Sequence, residues 1–113
     1  MDKVDEINLQ INRLSEASYE AEDIQHQLKR TEEALKIHFR RRTQFFYMLQ
    51  DYWRTGDMAH RVADRKYQLQ QEEHQIMDAL TEKQIAVCRQ IKEFETLEDE
   101  LYRARKQAWE EVE

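Results

Sequence analysis

The stretch Arg40–Tyr67, RRRTQFFYMLQDYWRTGDMAHRVADRKY, decides how this chain folds. It contains Gly56, the one glycine in a 113-residue sequence that has no proline. An aromatic cluster surrounds that glycine, with Phe45, Phe46, Tyr47, Tyr52 and Trp53 before it and Tyr67 after it. Thr55-Gly56-Asp57 is a turn signal, because glycine suits the left-handed position just past a helix end and aspartate caps the next helix. A helix over about 3–54, a turn at about 55–57 and a helix over about 58–110 are therefore expected, as one helical-hairpin domain spanning 1–113. The competing arrangement runs one helix straight through Gly56, at a cost of roughly 1 kcal/mol. That rod would be about 170 Å long. Two arms of nearly equal length can instead cover one another, which argues for the turn.

Composition narrows the class. Charged residues make up 37% and hydrophobic residues 40%, and with almost no helix breakers the chain reads as all-α. So charged a sequence builds a narrow apolar seam rather than a wide core, and a narrow seam asks for partner helices. The charge falls in blocks. Residues 1–35 carry 4 basic and 9 acidic side chains, residues 36–66 carry 8 and 3, and residues 67–113 carry 6 and 12. Two acidic arms thus flank a basic middle. Met1-Asp2-Lys3-Val4-Asp5-Glu6 is acidic and no apolar run follows, so neither a cleaved signal peptide nor membrane insertion is expected, and the location is cytoplasmic.

In the first arm Ile7, Leu14, Ala21, Leu28 and Leu35 recur every seven residues, with Val4, Ile11, Ile24, Ala34 and Phe39 three or four away. This is the period of a coiled-coil-like helix, interrupted by Ser18, Gln25 and Glu32. Its thin beginning, with Asn8 and Asn12, is expected to fray. From Phe39 to Trp53 the stripe widens until one neighbour cannot cover it. The second arm carries Val62, Leu69, Ile76, Leu80, Val87, Ile91, Phe94, Leu97, Leu101, Ala104 and Ala108 at helical spacings, and its tail from Trp109 is expected to fray. The fold expected is a long antiparallel helical hairpin, two helices that complete a larger bundle with partners.

No chemistry-bearing motif stands out. His26, His38, His60 and His74 form no i, i+4 pair, so no metal is expected. Carboxylate pairs along the arms read as solvated charge, and no nucleophile, glycine-rich loop or cofactor signature is present, so the chain is not expected to be an enzyme. Cys88, the single cysteine, lies in Ile85-Ala86-Val87-Cys88 and is expected to be a small buried side chain. Arg40, Arg41, Arg42, Arg54, Arg61, Arg65 and Lys66 would make a basic tip, but the flanking acidic arms would repel a long polyanion. What remains is a helical binding module, with self-association into a homo-oligomer as the alternative way to cover the same surface.

Trp53-Arg54-Thr55-Gly56 between two helical arms resembles the WXG-type hairpins of type VII secretion, with two residues between Trp and Gly where that family has one. Three further segments resemble small proteins encoded beside LXG toxins in Gram-positive bacteria. They are Arg41-Arg42-Thr43-Gln44-Phe45-Phe46, Tyr52-Trp53-Arg54, and Leu97-Glu98-Asp99-Glu100-Leu101-Tyr102-Arg103. The resemblance implies a non-catalytic accessory, targeting factor or chaperone without cofactors. It would bind the helical N-terminal domain of an LXG toxin together with a second small helical protein. The chain would then be cytoplasmic or co-secreted with the toxin. Tyr19…Asp23 and Phe94…Glu98 have the spacing of a type VII export signal, which acid-rich text also produces by chance. The partner-binding residues expected are Leu35, Phe39, Phe45, Phe46, Leu49, Tyr52, Trp53, Leu69, Ile76, Leu80, Phe94 and Leu101, with Gly56 and Asp57 making the turn. The rival reading is a coiled-coil stalk or scaffold of another secretion apparatus, against which the aromatic density at 45–53 counts.

Overall fold

A computed structural model describes residues 2–112, and of Val112 the backbone alone. It consists of α1 (Lys3–Tyr52) and α2 (Asp57–Val112), joined by residues 53–56, with no strand among the described residues. The all-α helical hairpin is the observed fold. α1 begins under a side-chain cap: the backbone N–H of Asp5 donates to Asp2 Oδ1 at 2.8 Å and that of Glu6 to the Asp2 carbonyl at 3.2 Å. The cap supplies acceptors that the first turn lacks, so the thin beginning is helical from Lys3 onward.

The turn spans residues 53–56, where the sequence suggested about 55–57. α1 ends at Tyr52, with a last bond from the Trp53 N–H to the Leu49 carbonyl (2.8 Å). Gly56 then adopts φ +87°, the left-handed conformation. Its carbonyl accepts the His60 N–H at 3.3 Å, so Gly56 itself holds the N-cap place of α2 and Asp57 is the first residue inside the helix. Glycine does both jobs because it has no Cβ to strain at positive φ. Asp57 still places a negative charge in the first turn, where the helix dipole favours it.

The chain divides into two compact units. In the first, the chain up to Gln27 pairs with the chain from Gln84 onward. Ile7, Ile11 and Ala108 are buried there, with Val4, Leu101 and Ala104 packed on them. Polar contacts frame this cluster. Arg105 Nη1 donates to Asn8 Oδ1 at 3.1 Å, and its guanidinium lies over the rings of Tyr102 and Trp109 at 4.8 and 5.0 Å. Lys3 Nζ meets Glu111 at 3.6 Å, and both groups are exposed enough that the pair adds little. Trp109 is helical, and the Arg105 guanidinium stands over its ring.

The second unit runs from Leu28 to Lys83 and includes the turn. Phe46, Val62 and Leu69 are buried together with Leu49 against them. Here the seam is partly ionic. The seven-residue row of α1 continues past Leu35 to Arg42 and Leu49, both half-buried. Arg42 donates from Nη2 (2.8 Å) and Nε (3.1 Å) to Glu73 Oε1 across the helix pair. α2 therefore does not carry its stripe from Leu69 to Ile76, as the periodicity suggested. Its buried row steps through Glu73 to Leu80, and Ile76 is left exposed. Ile24 and Leu97, expected in the stripes, are likewise exposed.

Candidate partner interface

The seam consumes only a strip of each helix, and the described residues include no side chain of size that is fully enclosed. Against that thin core stands a dense group of uncovered apolar side chains at the end of α1. Phe45 is 55% exposed, Met48 70% and Tyr52 78%, with Tyr47 and Trp53 also open. Phe45 and Phe46 meet edge to face at 5.9 Å between ring centroids, and Tyr52 and Trp53 do so at 5.1 Å. These pairs hold the exposed rings in place without covering them. Met58 and Tyr67 extend the uncovered surface onto α2.

The residues expected to contact a partner separate into three sets. Phe46, Leu69 and Leu80 are buried in the hairpin itself, Phe46 to 8%, so their contacts are internal. Leu35, Phe39, Leu49, Phe94 and Leu101 are half-buried along the seam. Phe45, Tyr52, Trp53 and Ile76 are exposed. Tyr47 and Met48 belong with the last set and were not singled out as contacts. Their position one and two residues past the buried Phe46 is the signal, since a helix turns about 100° per residue away from a buried neighbour.

The basic tip is also smaller than the sequence suggested. Arg42 is spent on Glu73 inside the seam. Lys66 Nζ donates to Gln50 Oε1 at 3.2 Å and sits 3.9 Å from the centroid of the Tyr47 ring. Arg54 Nε donates to the Asp51 carbonyl at 3.1 Å and so satisfies one of the orphan acceptors at the end of α1. Arg65 reaches Gln68 Oε1 at 3.5 Å. Arg40, Arg41 and Arg61 make no ion pair among the described residues.

Cys88 is exposed, contrary to the expectation of a buried thiol. The buried row of α2 passes through Val87, and the next residue is rotated out of it. In the first unit an open groove of about 410 Å³ lies between Gln10, Arg13, Leu14 and Ala17 of α1 and Leu97 and Leu101 of α2. Among the described residues no three His, Cys, Asp or Glu side chains gather as a metal site would require, and no helix is long and apolar enough to cross a membrane.

A family model described as "Protein of unknown function (DUF3958)" matches residues 2–108. Neither a curated protein nor a solved structure gives a match.

Proposed function

We propose that this chain, which belongs to the DUF3958 family, is a non-catalytic helical accessory factor. It binds the helical N-terminal domain of an LXG toxin, together with a second small helical protein, and helps present the toxin to a type VII secretion apparatus. The observation that carries the reading is the aromatic and methionine surface at the end of α1, which the seam leaves largely exposed. A surface of this kind is what an interface core needs, since aromatic residues, methionine and arginine are the residues enriched there. The resemblance of the segments at 41–46, 52–54 and 97–103 to proteins encoded beside LXG toxins supplies the identity of the partner.

Phe45, Tyr52 and Trp53 are the anchors, with Met48 beside them. Phe46, Leu49 and Leu69 hold those anchors in position from below. No step of catalysis is involved, and binding is helix against helix. The deciding experiment is co-expression of the chain with the adjacent toxin domain and the second small protein, followed by light scattering of the purified species. A stoichiometric complex supports the proposal. Three proteins that elute separately would overturn it.

A further inference from the structure

We infer that, of the two sides of the hairpin near the turn, only one receives the partner, and that its occupant is an acidic amphipathic helix. The inference rests on the proposed toxin binding and goes on to name the face and the chemistry of the helix that fills it. In the second unit the half-buried and buried row of α1 is Phe39, Arg42, Phe46 and Leu49. With about 100° between successive residues, Arg41, Phe45, Met48 and Tyr52 all fall to one side of that row. Arg40, Thr43, Tyr47 and Gln50 fall to the other. On α2 the buried Val62 and Leu69 lie toward one edge of the seam, and Met58, Arg61, Arg65 and Ile76 lie further out on that same edge. The two helices are antiparallel, so this edge of α2 and the Phe45–Tyr52 edge of α1 border the same side of the pair.

That side is an apolar floor with a mainly basic rim, Arg41, Arg61 and Arg65 with Glu72 among them. Phe45, Met48, Tyr52, Met58 and Ile76 are all exposed on it, above the buried Val62 and Leu69. Arg41 and Arg61 make no ion pair among the described residues, and Arg65 has only its long contact to Gln68. The opposite side is partly occupied from within, because Lys66 bonds Gln50 and stands over the Tyr47 ring, although Tyr47, Tyr67 and Arg40 stay exposed there. An apolar strip flanked by unpaired guanidinium groups is complementary to a helix whose apolar stripe is flanked by Asp or Glu, with carboxylate–guanidinium pairs closing the edges. Residues 36–66 carry 8 basic and 3 acidic side chains, so the whole neighbourhood attracts such a helix.

The test compares the two sides in the full-length chain by calorimetry, with the N-terminal domain of the adjacently encoded LXG toxin as the probe. Arg41→Glu and the pair Met48→Ala/Tyr52→Ala should each weaken binding by about tenfold or more, as loss of interface anchors does. Arg40→Glu and Tyr47→Ala, on the opposite side, should change it by no more than about twofold. All five residues are exposed, so circular dichroism should be unchanged in every variant. Equal effects from both sides, or none from either, would overturn the choice of face while leaving toxin binding intact. A free chain that is a dimer, broken by Arg41→Glu, would assign the face to a second copy and also overturn it. If the unaltered chain does not bind the domain, the proposed function fails first and this inference with it.

Discussion

Phe46 shows how much one position decides. It is one of three adjacent aromatics, Phe45, Phe46 and Tyr47, whose compositions are interchangeable and whose exposures are not. Phe46→Ala should destabilise the hairpin by about 3 kcal/mol, the range for removing a buried phenylalanine, and chemical denaturation with unchanged slope would measure it. Phe45→Ala, by contrast, should leave the midpoint nearly where it was. A matching pair of effects would mean the seam is not where the structure places it. Gly56 is decided by backbone alone. An added Cβ would meet nothing within 4 Å, so Gly56→Ala carries only the strain of φ +87°, about 1–2 kcal/mol. A melting temperature lowered by roughly 4 °C or more would register it. Cys88, open to solvent, should react with a thiol reagent in the native state within a few-fold of the unfolded rate, and Cys88→Ser should leave stability unaltered.

At the scale of the helices, the question is what sets the register of two long, repetitive partners. Leucine and alanine rows spaced by seven can slide by one heptad and still match in kind, whereas a single ion pair inside the seam cannot. Arg42 and Glu73 provide that constraint, with side chains 24% and 16% exposed. Glu73→Ala leaves a largely desolvated guanidinium without its acceptor and should cost about 2 kcal/mol. Arg42→Leu/Glu73→Leu should recover most of that loss. A double-mutant cycle should give a coupling of about 1 kcal/mol, and additive single effects would show that the pair is incidental to stability. The two helices were legible from sequence, since glycine and proline are so scarce, and the structure places their facing ends at Tyr52 and Asp57. The path of the seam was only half legible. The row through Ile7, Leu14, Ala21, Leu28 and Leu35 is apolar and announces itself. Its continuation through Arg42, and the shift of α2 from Leu69 to Glu73, invert the rule that the seam is apolar. Ile76 falls in the apolar stripe by spacing, yet the structure leaves it exposed.

For the molecule as a whole, charge segregation should govern the rate of association more than the strength of the complex. If the basic tip steers an acidic partner, the on-rate with the toxin domain should fall severalfold between low and high salt while the off-rate changes little. Stopped-flow measurement separates the two, and a salt effect confined to dissociation would count against a steering role. Composition alone determined much about this protein. Helix was the only structure available to a chain so poor in breakers, and Gly56 was the only place where it could turn. Which aromatics face inward was beyond the sequence, because Phe45, Phe46, Tyr47 and Met48 share an affinity for burial and differ only in direction. Direction is set by which strip of α1 meets α2, where Phe46 packs with Val62 and Leu69 and Arg42 bonds Glu73 thirty-one residues away. Only the tertiary structure, by placing those contacts, turned Phe46 into core and left Phe45, Tyr47 and Met48 uncovered.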